Sequence, residues 1–344
     1  MFLNFLIVST LGLIIKSSEE RSFLHWMRES KNFYIGEEYH FRLGVWIANY
    51  RYIQSQNTDF SKKHFKCGMN SLSALTSSEY RSYLGYRLNK DNSKNGKTIM
   101  TNSKSNYNKI QSSYAKNKDY PDELDYRTNE PAVLNPISNV GSCAGADWAF
   151  SVTSSIETNH AIKEAELIKL SEQCLIDCVT YCDGCNSCTP YKAFFCITNE
   201  RYQCHVNTES DYPYEGSKGE CRFNMNKALA LYTGVIWQND QPENDMIGYL
   251  NDYGIGALSM DATAASFQLY VSGIYDDKNC GTENNHAINV VGYGTEGEGD
   301  SAIPYWICRN CWGRAWGEDG YFRIIRGVNQ CGISKQVGFP LKFF

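Results

Sequence analysis

The sequence lacks a strong excess of charge: its formal net charge is −5 over 344 residues. Such a balance gives no reason to expect nucleic acid or an anionic membrane as a partner. No internal repeat and no Asn-x-Ser/Thr sequon occur, and no stretch after residue 18 reaches 18 uninterrupted apolar residues. We therefore expect no membrane-spanning helix after that point. Histidine is scarce, with six residues, and each one taken alone would be expected in a core or surface role.

What the chain does contain is enough apolar sequence for a sizeable core, since 42% of its residues are hydrophobic. The length predicts two or three domains. The 14 cysteines are clustered, a pattern that favours an oxidising compartment.

The N-terminal stretch from Phe2 to Ile15 is almost wholly apolar and is followed by Lys16. It is too short for a membrane span and fits the core of a signal peptide, although it lacks the usual basic segment. We predict a signal peptide over residues 1–17, which directs the chain to secretion or to a lysosome-like compartment. The alternative is a buried N-terminal helix.

A helix is predicted over residues 19–60, with its start near Ser17 and Ser18. Within it, six residues recur at intervals of three or four and so share one face. Glu38 and Arg42 can form an i,i+4 ion pair. The six are Glu38, Arg42, Trp46, Asn49, Ile53 and Asn57. Taken alone, the segment would be an ordinary amphipathic helix.

The stretch from Asn139 to Phe150, with Cys143 and Trp148, resembles the nucleophile segment of papain-like cysteine proteases, the cathepsin family. In that pattern the reactive Cys directly precedes the Trp at the start of a buried helix. Here Asp147 precedes Trp148, and four residues separate Cys143 from Trp148 where the family has three. Counting forward from Cys143 reaches Ala146 instead. The resemblance implies the scaffold of a thiol protease without its thiol.

The helical set of six residues resembles the propeptide pattern of cathepsin L-type proenzymes, whose helix folds against the mature domain and helps to block the cleft. A second propeptide motif is half present: Gly68 and Asn70 match, while Leu72 and Ala74 replace its aromatic and acidic positions. The acidic position belongs to a network used in pH-triggered processing, so its loss puts self-activation in doubt.

The resemblance sets the domain boundaries. We expect an inhibitory helical propeptide over residues 18–87 and a flexible linker over 88–118, which is rich in Asn, Ser and Lys and poor in apolar groups. A peptidase domain over 119–344 should follow. Helical patterns after Trp148 and short strand patterns after about residue 225 predict an α+β fold with two lobes. The papain-like architecture has a helical lobe (about 119–224), a β lobe (about 225–344) and a cleft between them.

The remaining catalytic positions are present. His286 lies 139 residues after Asp147 and fits the catalytic His, while Asn310 fits the side chain that orients it. Trp312 fits the indole that shields the Asn–His hydrogen bond, and Trp148 supports the nucleophile position. We expect Asp147 at the helix N-terminus to form an ion pair with His286.

Two positions fail. Asp147 replaces the nucleophile, and a carboxylate attacks amides poorly. Val140 stands at the position of the oxyanion Gln and has no side-chain donor. Losing a nucleophile costs on the order of 10⁶ in turnover, and losing one oxyanion donor costs on the order of 10²–10³. The resemblance also assigns cleft positions, and a side chain at Cys188 would crowd the substrate. These cleft positions are Gly145, Cys188, Thr189 and Pro190.

The cysteines allow several interpretations. The resemblance implies the disulfides Cys143–Cys185, Cys178–Cys221 and Cys280–Cys331. The spacing of Cys178, Cys182, Cys185 and Cys188, read alone, suggests a zinc or iron–sulfur site; we favour extra disulfides among Cys182, Cys188, Cys196 and Cys204, of undetermined pairing, and no metal. A free Cys143 could instead reach His286 and act as the nucleophile.

The sequence thus predicts a pseudo-protease, a monomer without a cofactor, which binds a peptide or protein in a retained cleft and its own propeptide in cis. The alternative is an active cysteine endopeptidase that uses Cys143 or atypical chemistry.

Overall fold

The computed structural model describes residues 15–58, 63–85, 119–198, 205–229, 234–240 and 242–341, together with the backbone of 96–101. The predicted signal peptide, residues 1–17, lies mostly outside the described residues. Within the described part of the chain, every helix is too short or too polar to cross a membrane.

Two N-terminal helices, α1 (Ser17–Glu29) and α2 (Gly36–Gln56), replace the single helix predicted over residues 19–60. The break has a backbone cause, because Lys31 and Gly36 both adopt left-handed conformations, with φ of 56° and 58°. The start of α1 agrees with the prediction, since the Glu19 carboxylate accepts a hydrogen bond from the backbone N–H of Lys16 at 2.9 Å.

The two helices pack around a small core of their own. Trp46 is 1% exposed, and its ring stacks on Tyr50 at 5.2 Å. The core also takes in Phe23, Trp26, Met27, Leu43, Ile47 and Ala74. Burial of several aromatic rings stabilises this short segment.

Glu38 and Arg42 are the two charged residues of the six-residue set in α2, and Arg42 binds a later helix. Arg42 pairs with Glu38 one turn earlier, with Nε and Oε1 2.6 Å apart. Its guanidinium also donates two hydrogen bonds to Glu79 in α3 (Ser77–Ser82), at 2.6 and 2.7 Å. Such two-pronged pairing fixes orientation as well as distance.

The two asparagines of the same set, Asn49 and Asn57, form hydrogen bonds with backbone groups of the segment that follows α2. Asn49 donates to the carbonyl of Ser73 at 2.8 Å. Asn57 exchanges two hydrogen bonds with Cys67, the last residue of β1 (Phe65–Cys67), at 2.7 and 3.1 Å. The predicted helix face therefore serves to position the segment from β1 to α3.

The helical lobe consists of α4 (Asp147–Glu164), α5 (Glu172–Cys178) and α6 (Pro190–Thr198). Residues 147–161 of α4 are all buried, so this helix is the spine of the lobe. It ends where Ala165 turns left-handed, with φ of 55°. The Ser171 hydroxyl caps α5 by accepting from the backbone N–H of Cys174 at 2.9 Å.

The β lobe surrounds one mixed sheet and carries the short helices α7 (Asp245–Tyr253) and α8 (Ala265–Gln268). Its strands are β3 (Leu124–Asp125), β4 (Gly234–Asn239), β5 (Gly256–Met260), β6 (Tyr270–Tyr275), β7 (His286–Glu296), β8 (Ile303–Arg309), β9 (Tyr321–Ile325) and β10 (Gln336–Leu341). The α+β, two-lobe architecture predicted from the sequence is confirmed.

A further strand, β2 (Gly96–Thr101), pairs with β4 along its whole length. The sheet has the strand order β1-β6-β9-β8-β7-β5-β10-β4-β2, with β3 also paired with β7. Strand β2 corrects the prediction of a flexible linker over residues 88–118, because residues 96–101 of that linker are a strand. Without β2, strand β4 would be the edge of the sheet, with unpaired backbone groups. Backbone hydrogen bonds to such an edge require few apolar side chains in the added strand. The rest of that linker lies outside the described residues.

Hydrogen bonds between α4 and β7 place the helix tip opposite the start of the strand. The Ser151 hydroxyl donates to the carbonyl of Ile288 at 2.6 Å, and Asn289 donates to the carbonyl of Ser151 at 2.8 Å. Asp147 lies one helical turn before Ser151, and His286 is the first residue of β7. The two lobes therefore meet at these two side chains.

Candidate active site

Asp147 is the first residue of α4 and follows a single 3-10 turn, Ala144–Ala146. That turn accommodates the extra residue between Cys143 and Trp148, so the helix begins at Asp147 and not at Ala146. A carboxylate at this point lies in the first turn of a long helix, where the helix dipole favours negative charge.

The Asp147 carboxylate is fully buried and accepts three hydrogen bonds. Its Oδ2 lies 2.7 Å from Nδ1 of His286 and 2.9 Å from the backbone nitrogen of Ala287. Its Oδ1 accepts from the backbone N–H of Trp148 at 2.7 Å. Because two of the donors are fixed backbone groups, the side chain is held in a single orientation. No pattern in the sequence indicates the contact with Ala287.

His286 lies between Asp147 and Asn310, with Nε2 2.9 Å from Oδ1 of Asn310. The backbone N–H of Cys311 donates to the same oxygen at 2.8 Å, which fixes the amide orientation because only an oxygen can accept there. Both ring nitrogens of His286 thus face acceptors. The imidazole is therefore held by a hydrogen bond at each of its two nitrogens.

Two indoles enclose the pair. Trp312 stacks on His286 with ring centroids 4.5 Å apart and an angle of 25° between the planes. Trp148 is fully buried and donates through Nε1 to the carbonyl of Gly184 at 3.1 Å. Asn310 is 2% exposed, so water has little access to the hydrogen bond that orients the histidine.

Val140 offers nothing to a developing oxyanion. Its side chain is fully buried. Its backbone N–H donates to Cys311 at 2.9 Å. Its carbonyl accepts from the Tyr214 hydroxyl at 2.7 Å. The position at which the family pattern has the oxyanion Gln is therefore part of the packed core.

Cys143 is bonded to Cys185, with sulfur atoms 1.97 Å apart, and is fully buried. The alternative in which Cys143 attacks the substrate requires a free thiolate. In this structure the sulfur is already bonded, so this alternative would first require cleavage of the disulfide.

The thiol of Cys311, where the family pattern has Ser, is free and buried. Burial, followed by the nearby charge of Asp147, raises its pKa well above the usual value for cysteine. The group therefore stays a protonated thiol at neutral pH and lacks the thiolate that nucleophilic attack needs.

The other disulfides account for the cysteine cluster. Cys178 pairs with Cys221, Cys280 with Cys331, and Cys182 with Cys188. Cys196 is also disulfide-bonded, and Cys204 lies outside the described residues. All four cysteines of the 178–188 cluster are therefore in disulfide bonds, so their sulfur atoms are not available as thiolate ligands for a metal.

The expected cleft positions lie around Gly145. A side chain there would meet the carbonyl oxygen of Cys185 at 2.4 Å, so the loop after Gly184 packs directly on its backbone. Cys188 is 4% exposed with its sulfur bonded to Cys182, and Pro190 is buried at the start of α6. Thr189 accepts a hydrogen bond from the backbone N–H of Lys192 at 3.2 Å.

The cleft is covered by α3 and by the segment that follows it, a contact that the sequence does not indicate residue by residue. A Cβ at Gly85 would lie 2.0 Å from the carbonyl oxygen of Gly145, two residues before Asp147. Tyr80 meets Trp312 edge to face at 5.8 Å, and Leu84 is 8% exposed. These contacts are long-range, so no local sequence pattern indicates them.

Comparisons with known proteins agree with this geometry. The family described as "Papain family cysteine protease" matches residues 120–341, and the "Cathepsin propeptide inhibitor domain (I29)" matches residues 23–80. Together these two matches span most of the chain.

Individual relatives cover most of the chain. Pro-cathepsin H of Mus musculus is 31% identical over 340 residues, which are 97% of this chain and 94% of that protein. A cathepsin L-like protein of Caenorhabditis elegans is 35% identical over 306 residues, 86% of this chain and 84% of its own. The solved structure of digestive procathepsin L2 from Tenebrio molitor larval midgut superposes with a TM-score of 0.82 at 28% identity, covering 94% of this chain and all of that one.

Proposed function

Because this chain belongs to the papain family of cysteine proteases, we propose that it is a pseudo-protease that binds a peptide or protein segment in the family's cleft without hydrolysing it. The observation that carries this proposal is the direct contact of Asp147 with His286, 2.7 Å apart, at the tip of α4. In a thiol protease this contact belongs to the nucleophile and the base that activates it.

The chemistry of the site supports the loss of turnover. Asp147 would have to give up hydrogen bonds to two backbone N–H groups and to His286 before it could attack a carbonyl. Replacing the nucleophile costs on the order of 10⁶ in turnover. If any hydrolysis remained, the missing side-chain donor at Val140 would lower turnover by a further factor on the order of 10²–10³.

The domain plan follows the family. We infer a signal peptide over residues 1–17, a propeptide over 18–87, a linker around strand β2 up to 118, and a peptidase domain over 119–344. The disulfides, such as Cys178–Cys221, support an oxidising compartment, which is either outside the cell or lysosome-like. The protein acts as a monomer, with its propeptide bound in cis.

A peptidase assay tests the proposal. The full-length and the linker-cleaved protein are incubated with a fluorogenic peptide library, with and without a thiol alkylator. We expect turnover no higher than that of a His286→Ala control. Turnover that the alkylator abolishes and that a Cys143→Ser variant lacks would establish the active-peptidase alternative and reject the proposal.

A further inference from the structure

We propose that the narrow polar cavity beside Asn310 is a binding site for one ordered water molecule, which ties the amide nitrogen of Asn310 to the helical lobe. Such a water would be bound whether or not the protein hydrolyses peptides, because its partners are buried side chains of the two lobes. Its effect would be to hold the side chain that orients His286.

The cavity lies between α4, the start of α5 and the end of β8. It leaves about 10 Å³ for the centre of a water molecule, which is roughly the room that one ordered water needs and too little for an organic ligand. Dry cavities in proteins are apolar, whereas polar ones hold water. This one is polar: its lining includes Ser154, Glu157, Glu172, Arg309 and Asn310.

Asn310 presents an unused donor at this cavity. Its Oδ1 already faces Nε2 of His286 and the backbone N–H of Cys311, at 2.9 and 2.8 Å. Its Nδ2 is buried and has no hydrogen-bond partner in the part of the chain that the structure describes. A buried amide nitrogen is normally satisfied by protein or by ordered water. The cavity supplies the room for that water.

Glu172, from the other lobe, provides an acceptor. Its Oε1 accepts hydrogen bonds from the Thr153 hydroxyl at 2.8 Å and from the Lys169 ammonium. Among the described residues, no donor bonds its Oε2, although the side chain is buried. A water in the cavity can accept from Nδ2 of Asn310 and donate to this oxygen, so that both groups are satisfied.

Two further polar groups complete the surroundings. The guanidinium of Arg309 donates to the backbone carbonyls of Asn135 and Pro136 at 2.6 and 2.7 Å. These bonds use two of its five N–H groups, so others remain for a water. The Ser154 hydroxyl also lines the cavity and can donate or accept. A buried water typically makes about three hydrogen bonds, and the site offers that number.

The charges around the cavity favour a neutral ligand over an ion. Nζ of Lys169 lies 3.2 Å from Oε1 of Glu157 and also contacts Glu172. With Arg309, the group contains two acidic and two basic side chains, whose formal charges cancel. An ion would lose its hydration on entry and gain no net attraction in return. Water loses far less and finds both donors and acceptors.

The water would give the Asn310 amide a second anchor. The backbone N–H of Cys311 holds its oxygen from within the β lobe, and the water would hold its nitrogen through Glu172 at the start of α5. The position of the amide, and with it the hydrogen bond to His286, would then depend on side chains of both lobes.

Crystals of the full chain test the assignment directly. We expect a peak of electron density within about 3.2 Å of both Nδ2 of Asn310 and Oε2 of Glu172. A soak in rubidium bromide distinguishes water from ions, since both ions scatter anomalously. An anomalous peak at the site would overturn the proposal, and so would well-ordered side chains with no density between them.

NMR of the full chain with nitrogen-15-labelled asparagine tests the site in solution. The side-chain amide protons of Asn310, assigned with Asn310→Ser, should show a cross peak with water. Ser154→Val adds bulk to a cavity that holds one water, so this peak should be lost. Ser154→Ala is the matched control, because it removes the hydroxyl and leaves the space, and the peak should remain. The same result for both variants would contradict the assigned site. Ser154→Thr, which adds one methyl group, takes the place of Ser154→Val if that variant does not fold.

The ring nitrogens of His286 show whether the water positions Asn310. In Ser154→Val the nitrogen-15 signal of Nε2, which faces Asn310, should shift. The signal of Nδ1, which faces Asp147, should stay in place. An Nε2 signal that does not move after loss of the water would reject the positioning role, and a shift of both signals would indicate a general disturbance of the site instead.

Discussion

The carboxylate of Asp147 and the imidazole of His286 are in direct contact, 2.7 Å apart, and neither side chain is exposed to solvent. They come from different lobes, at the tip of α4 and the start of β7. Charges this deeply buried are tolerated only when each is paired and hydrogen-bonded. The contact therefore ties the lobes together at the point where a thiol protease performs its chemistry.

The first prediction concerns the hydrogen bonds that hold His286. Asp147 and Asn310 each present an oxygen to one of its ring nitrogens, so a hydrogen-bonded N–H is expected at Nδ1. Nitrogen-15 NMR of the full chain measures this directly, with His286→Gln assigning the signals. In Asp147→Ala the acceptor is gone, so the signal of this hydrogen bond should be lost. An Nδ1 without a hydrogen-bonded proton in the unmodified protein would contradict the prediction.

The second prediction is that activity can be restored in two steps. In a Gly85→Ala background, where the added methyl group does not fit against the backbone of Gly145, Asp147→Cys returns a thiol to the helix tip. Recovery of about 10³–10⁴ in turnover is expected, since the full nucleophile effect of about 10⁶ is reduced by the missing oxyanion donor.

Adding Val140→Gln should then raise turnover by about 10²–10³ more. Val140→Gln without Asp147→Cys is the control and should have no effect. A gain from that single change would mean that the existing carboxylate already catalyses hydrolysis.

The third prediction is that Cys143 does not react with thiol reagents in the native or the unfolded, unreduced protein, because it is bonded to Cys185. Labelling after unfolding without a reductant should find four cysteines of the described residues, Cys67, Cys174, Cys308 and Cys311. Peptide mass mapping identifies the labelled sites. Removing the bond with Cys143→Ala and Cys185→Ala should cost about 4 kcal/mol of unfolding free energy for a loop of 42 residues. Labelled Cys143 would reopen its role as a nucleophile.

The sequence predicted the chemistry of the site better than its surroundings. The motif around Trp148 sets the distance in sequence between the tryptophan and the nucleophile position. Asp147 could therefore be placed at the start of the helix from the sequence. The break at Lys31 was missed because a left-handed lysine has no sequence signal. The strand over residues 96–101 was missed because its ladder with β4 depends on backbone groups far along the chain. The contact of Gly85 with Gly145 is likewise a product of tertiary packing.

The last prediction concerns stability in strong acid. The two hydrogen bonds from Arg42 lower the pKa of Glu79 from 4.5 to about 2. A carboxyl whose pKa is lower in the folded than in the unfolded state stabilises the fold above the unfolded value, and that stability is lost as the pH falls through the folded value. The pro-region should therefore keep this contribution down to about pH 4.5 and lose it progressively toward about pH 2. Hydrogen exchange of residues 77–82 across this range measures the loss. Glu79→Gln should remove the pH dependence, whereas Glu37→Gln, on an exposed position of α2, should leave it unchanged. Exchange that rises already between pH 7 and about pH 4.5 would mean that another carboxylate controls the stability of this segment.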